Sequence, residues 1–376
     1  MLPPRATQYH KNPGQTVDFH RFWGDEIIAA YCEQRDAIRE HSDRPVTTNL
    51  MLPYCLRLNL WAFARLLDSV SSDQYPSEPG LDSAAHVAFY ADRSRSLADG
   101  RPWLLMEQGT SSVYDGGQMI GKEPGEILRH SLGHIARGSE GALFFQWRQS
   151  RAGAETWHSA MLPHAGPDSR VFREVTQTGE AVAALGELAG STVTASVAVL
   201  DDPDAMWALE ADGLPSARLD HHAPLAEAHR ALWDAGVTVD FAHPEHELSR
   251  YRLVIAPSLF LLSDKGAENL RRYVAGGGRL LVQHAAGFVD DRMHARLGGY
   301  PAEPLREALG IRVEEHRPLR TDQRITLSDG SDGTVWSESL RAVGAETLAA
   351  YTHGMLADRP ALTQHRFGTG QSWYPS

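Results

Sequence analysis

Between residues 44 and 185 the chain repeats one pattern four times. A short apolar or β-branched run ends in polar residues, and a longer stretch follows with apolar side chains at three- and four-residue steps. The runs are RPVTTNLM (44–51), SVSSDQYP (69–76), RPWLLMEQ (101–108) and EGALFFQWRQS (140–150). The helical stretches are LWAFARLLDSV (60–70), SAAHVAFYADRSRSLA (83–98), GEILRHSLGHIARG (125–138) and SRVFREVTQTGEAVAAL (169–185). A further helix is predicted before them, over residues 15–42. Strands separated by helices return in the same direction, so the pattern calls for an α/β fold with a parallel sheet and helices outside it. Each run closes on polar residues: Thr48-Asn49, Asp73 to Tyr75, Glu107-Gln108 and Gln146-Trp147-Arg148. No Gly-x-Gly-x-x-Gly opens any of the helices, as a dinucleotide-binding sheet would require. Polar groups at every strand end suit a (β/α)8 barrel, whose chemistry gathers at that end. Four units make half of one.

Beyond residue 190 the texture changes. Strands are predicted at 191–202, 237–244, 251–262 and 279–287, with helices at 224–236 and 264–278, a doubly wound pattern of flavodoxin-like size. We therefore expect two domains, 1–188 and 189–376. The final segment, HRFGTGQSWYPS, reads as a strand after a Gly-x-Gly turn and as an unfinished sheet edge. The opening segment, MLPPRATQYHKNPGQ, lacks the basic and apolar regions of a signal peptide and reads like the middle of a loop.

Composition narrows the partners. A formal net charge of -12 argues against nucleic acid or an anionic membrane. No run of about 20 apolar residues calls for a membrane span. Cys32 and Cys55, the two cysteines, form neither a disulfide framework nor a close metal-binding pair. A reducing cytoplasm and the absence of any metal or cofactor are expected.

PWLLMEQ, EPGE, GALFFQWRQSRAGAETWHSAMLPHAG and SRVFREV resemble the β-galactosidases of glycoside hydrolase family 42. The resemblance continues through VAVLDDPDAMWAL, YRLVIAPSLFLLSDKGAENLRRYVAGGGRLLV and RLGGYPAEPLREALGI. It covers the chain from about residue 11 to its end, and the block 140–166 is its most specific part. The resemblance implies strands 5–8 of a (β/α)8 TIM barrel, followed by a trimer-forming α/β domain similar to class I glutamine amidotransferase folds. Against the family plan the sequence starts after the fourth barrel strand and stops near the end of the α/β domain. Both cysteines precede that domain, so amidotransferase catalysis is excluded there. His284, at a strand end, reads as structural.

The same resemblance implies a retaining hydrolysis of terminal β-D-galactosides with Glu107 as nucleophile. Retaining glycosidases need two carboxyl groups about 5 Å apart. The family's acid/base residue sits in an Asn-Glu pair, and that dipeptide occurs nowhere in this sequence. Glu155 and His158 resemble the family's sugar-hydroxyl ligands; on the residues alone, a surface ion pair or a metal-ligand pair fits their spacing too. Trp147 reads either as a platform for a pyranose ring or as a core residue. Asp73 and Tyr75 line the pocket or simply build a turn. Tyr114 and Asp115 stand where many relatives carry an Asn-Trp pair. The activity of the isolated chain is open. It is an impaired β-galactosidase, one half of a split enzyme completed by a separate N-terminal chain, or a non-catalytic assembly protein. A β-galactoside substrate and a homotrimer are the expected partners.

Overall fold

The computed structural model describes residues 1–5, 8–52, 57–78 and 80–376; Cys55 lies outside them. The chain divides into two compact units, Ile27–Thr194 and Met1–Glu26 with Ala195–Ser376. This differs from the division 1–188 and 189–376 chiefly at the start of the chain. Helix α1 (Pro13–Arg39) contains the boundary. In its first half, Val17 is buried among Ala205, Trp207 and Phe260. Arg21 reaches Asp204 at 2.7 Å. Helical periodicity announces an apolar stripe but not which surface the stripe will meet.

In the unit Ile27–Thr194 the order is β1 (Asn49–Leu50), α2 (Leu60–Ala64), β2 (Ser71–Gln74), α3 (Gly80–Leu97) and β3 (Trp103–Gln108). There follow β4 (Ser112–Asp115), β5 (Gln118–Gly121), α4 (Glu126–Ile135), β6 (Ser139–Ala142) and α5 (Arg170–Ala183). Strands β1, β2, β3 and β6 form one parallel sheet in that order. The four strand-then-helix repeats are present, but the first and last predicted strands are only 2 and 4 residues long. β4 and β5 form an antiparallel hairpin around Gly116-Gly117, both at positive φ, a two-residue turn signal that the strand-and-helix reading passed over.

Local chemistry explains the boundaries. The Ser169 hydroxyl accepts from the Phe172 amide and caps α5. Asn59 does the same for Ala62 at the start of α2. In β3, Trp103 and Leu105 have no solvent exposure. β2 is the unusual strand, because all four of its residues, Ser-Ser-Asp-Gln, are buried. Buried polar groups need partners. Ser71 donates to the Thr48 carbonyl, and the Gln74 amide donates to Ser72.

In the other unit the order begins β7 (Val197–Leu200), α6 (Pro203–Leu209), α7 (His222–Asp234), β8 (Val239–Ala242), β9 (Leu253–Ala256) and α8 (Asp264–Ala275). It continues β10 (Arg279–Val282), α9 (Glu303–Leu309), β11 (Ile311–His316), β12 (Ile325–Thr326), β13 (Asp332–Gly333) and β14 (Glu338–Ala342). It closes with β15 (Glu346–Ala350), β16 (Pro360–Phe367) and β17 (Gly370–Pro375). Seven strands form one sheet in the order β15-β16-β17-β10-β9-β7-β8. β17 runs parallel to β10 on one side and antiparallel to β16 on the other. The last strand is therefore interior, which corrects the expectation of an unfinished edge. The Gly-x-Gly turn folds β17 back onto β16, and that hairpin supplies the missing neighbour. His284, just past β10, stacks on Trp336 with ring centroids 6.1 Å apart.

Among the described residues no helix is long and apolar enough to cross a membrane. None of their His, Cys, Asp and Glu side chains form a group of three able to hold a metal.

Candidate active site

Three neighbouring strand ends bring polar side chains together. β1 ends near Asn49, β2 ends at Asp73-Gln74 with Tyr75 beyond it, and β3 ends at Glu107-Gln108. Parallel register sets Asp73 opposite Glu107, after an irregularity between Ser72 and Asp73. The Tyr75 hydroxyl donates to Glu107 Oε2 at 2.7 Å. The Asn49 amide donates to Asp73 Oδ2 at 2.5 Å. One line of hydrogen bonds thus ties β1 to β2, and a second ties β2 to β3.

The two carboxylates live in different surroundings. Glu107 is half-buried, whereas Asp73 is 1% exposed, and its Oδ1 has no hydrogen-bond partner among the described residues. Burial, opposed by the Asn49 amide and reinforced by the Glu107 charge, pushes Asp73 up to about 6. Burial and the hydrogen bond to Glu107 hold the Tyr75 phenol far above its ordinary range. Tyr75 therefore stays a hydrogen-bond donor and pins one oxygen of Glu107.

Glu155 and His158 lie on the loop between β6 and α5. The His158 amide donates to the Glu155 carbonyl, so both sit on one turn, as their spacing suggested. The His158 ring lies edge-on to Tyr75 at 5.5 Å and to Phe145 at 5.0 Å, and tilted against Tyr114 at 5.9 Å. Three aromatic rings therefore fix the imidazole. Glu155 is exposed, and its charge acts on Tyr75. Trp147 is 63% exposed, which overturns the reading of it as a core residue. Leu162 and Met161 donate backbone bonds to Trp147 and Gln146, closing the base of the loop that carries Glu155 and His158.

Sequence reasoning missed the hairpin β4–β5 and what it places near the site. The Tyr114 hydroxyl donates to the Ala154 carbonyl at 3.3 Å. At the foot of the hairpin, Lys122 is buried, and its ammonium donates to the Gly109 carbonyl at 2.6 Å. A lysine in a short polar segment carries no mark of burial in the sequence; only the return of the hairpin to β3 reveals it.

The arrangement brings together Glu107, Tyr75, Asp73 and His158, with Glu155 close enough to act on Tyr75 by its charge. It leaves Trp147 exposed beyond β6. Chemically it offers a half-buried carboxylate held by one donor, with an exposed carboxylate and an aromatic-braced imidazole near by.

The comparisons with known proteins agree on one family. The profile of the family 42 glycoside hydrolases, described as "Beta-galactosidase", matches residues 1–185, and that of the "Beta-galactosidase trimerisation domain" matches residues 195–376. A β-galactosidase of an Arthrobacter species is 40% identical over 100% of this chain and 54% of its own. The β-galactosidase bgaB of Geobacillus kaustophilus is 40% identical over 99% of this chain and 56% of its own. A solved structure of a catalytic mutant of Gan42B, a family 42 β-galactosidase from G. stearothermophilus, superposes with a TM-score of 0.94 at 32% identity. It covers 100% of this chain and 57% of that one. The chain spans about half the length of the curated relatives it matches. Along its whole described length, this chain belongs to glycoside hydrolase family 42.

Proposed function

We propose that the chain carries the nucleophile side of a retaining β-galactosidase. The observation that carries this reading is the presentation of Glu107 at the end of a buried strand, with Tyr75 Oη at 2.7 Å from one of its oxygens. That bond orients the carboxylate and leaves its other oxygen for attack on an anomeric carbon. In the first step a C–O bond forms between Glu107 and the sugar while the glycosidic C–O bond breaks. A general acid protonates the departing oxygen. In the second step water, deprotonated by the same group, releases the sugar and regenerates the carboxylate. Glu155 and His158 bind sugar hydroxyls, and Trp147 offers its exposed face to a pyranose ring. Asp73 is a support for Glu107 rather than a wall of the pocket, because it is buried and bonded to Asn49.

The family's Asn-Glu acid/base pair has no counterpart in the 376 residues. A second reading therefore stands beside the first, in which another polypeptide completes the site and supplies that proton. Under either reading we place Ile27–Thr194 as strands 5–8 of a (β/α)8 barrel. The other unit is a flavodoxin-like, amidotransferase-like domain that assembles a homotrimer, in line with the profile it matches. Placement in the cytoplasm is part of the same proposal and rests on the sparse cysteines.

Turnover of a chromogenic β-galactoside tests the assignment of Glu107. The variant Glu107→Gln loses at least about 1,000-fold in kcat, because the amide cannot form the covalent intermediate. Equal rates in wild type and variant remove Glu107 from this role. Addition of a purified N-terminal barrel half from a relative tests the split reading, which requires a gain in rate on mixing.

A further inference from the structure

Lys122 is a buried charge that the proposed chemistry does not use. Its side chain follows β5, is 6% exposed, and has the Gly109 carbonyl as its hydrogen-bond acceptor at 2.6 Å. No carboxylate oxygen of the described residues lies within ion-pair distance of it. The charged and titratable groups that face it come from two elements. From α4 these are Glu126, whose charge supports the ammonium, and His130 and His134, which burial above all, with the ammonium adding to it, holds in their neutral forms. From α5, Arg170 donates to the backbone carbonyl of Lys122. A buried ammonium without an ion-pair partner is destabilising, and methionine would fill the same volume without that cost.

What the ammonium holds is the chain immediately after Glu107. Gly109 is two residues beyond that carboxylate and is wedged: a Cβ there would lie 2.8 Å from Val113 Cγ1 and 3.1 Å from Ser159 Oγ. Thr110 continues the staple, its amide donating to Ser159 Oγ and its hydroxyl to the Ala160 carbonyl. Ser159 follows His158 directly. A single short segment therefore joins the strand end of Glu107 to the loop of His158 and Glu155, and Lys122 clamps that segment from the hairpin. The Lys122 amide also donates to the Ser111 carbonyl and closes the hairpin at its base.

We infer that Lys122 is a positioning residue, whose ammonium fixes the Gly109 carbonyl and through it the placement of Glu107 relative to His158 and Glu155. The inference rests on the proposed role of Glu107 for its catalytic consequence, but not for its structural one. A displacement of about 1 Å at a reacting group costs on the order of 100-fold in rate. The clamp acts on geometry at the reacting atom and leaves sugar contacts in place.

The test compares Lys122→Met and Lys122→Arg in the full 376-residue chain. Hydrogen exchange followed by mass spectrometry is expected to rise at least threefold over residues 107–113 in Lys122→Met, and less in Lys122→Arg, which keeps a cationic donor. Helix α4 serves as the folding control and keeps its protection. Unchanged exchange over 107–113 overturns the clamp. With a chromogenic β-galactoside, Lys122→Met is expected to lose 10- to 100-fold in kcat while KM stays within threefold. A loss carried by KM alone overturns the positioning role. The thermal midpoint of Lys122→Met is expected to equal or exceed that of the wild type; a lower midpoint accompanied by exposed α4 assigns Lys122 to general stability and overturns the inference. Exchange is read whether or not the chain turns over a galactoside, so failure of the glycosidase reading, which Glu107→Gln reports, is distinguished from failure of the clamp.

Discussion

Two acidic residues one strand apart end in opposite conditions. Glu107 keeps access to solvent and one donor, whereas Asp73 is enclosed and pushed up to about 6 by burial. The folded pKa of Asp73 lies above its ordinary 3.8. Between those two values the folded state holds more protons than the unfolded one, so this group's contribution to stability is complete below about pH 4 and is lost as pH rises through about 6. The variant Asp73→Asn abolishes that slope. Its urea midpoint should gain on the wild type between pH 4.5 and 7, and parallel curves would show that Asp73 is not the titrating group. Lys122 works in the opposite sense. Burial lowers it to about 8 from 10.5, so the folded state holds fewer protons across that interval and stability from this group rises with pH.

At the scale of the element, the hairpin β4–β5 is the addition that changes the site. Its first strand carries Tyr114, whose hydroxyl reaches Ala154 on the loop of Glu155. Its foot carries Lys122. Its side chain Val113 packs where a Cβ on Gly109 would have to go. The variant Gly109→Ala forces the strand end and the hairpin apart, at a cost of about 1–3 kcal/mol in chemical denaturation. The effect should be larger than that of Gly179→Ala in α5, where nothing lies within 4 Å of a Cβ and the backbone is helical. Equal costs at the two positions would mean that the hairpin does not press on β3. The variant Tyr114→Phe keeps the ring beside His158 and removes one exposed hydrogen bond. A loss of about 0.5–1.5 kcal/mol in transition-state stabilisation, seen in kcat/KM, is expected.

At the scale of the whole chain, one of the two units is organised around a single buried carboxylate. In the unit that includes β7 to β17 the centre is Glu338, which has no exposure. Its Oε1 accepts from the Tyr300 hydroxyl, the Trp336 indole and the Ala285 amide, and its Oε2 from the Tyr374 hydroxyl. Burial raises its carboxyl above the ordinary value, and these donors oppose the shift. The carboxylate links the loop after β10, the approach to α9, strand β14 and the last strand β17. The variant Glu338→Ala leaves four donors without an acceptor and should cost about 3–5 kcal/mol, read as a fall in the thermal midpoint of this unit. An unchanged midpoint would show that water or a rearranged network satisfies the donors.

Much of this was legible in the amino-acid order, because strand and helix periodicities are local. The repeats after residue 44 gave the parallel sheet, and the polar end of each run placed Asp73, Tyr75 and Glu107 at neighbouring strand ends. The packing of the N-terminal half of α1 was not legible, since an amphipathic stripe carries no address for its partner. Nor was the interior position of β17, because sheet order depends on pairings made across the whole unit. The burial of Lys122 and Asp73 was hidden for the same reason. Residue type and spacing fix which groups reach a strand end, but desolvation is set by what folds over them, and that covering comes from segments distant in the chain.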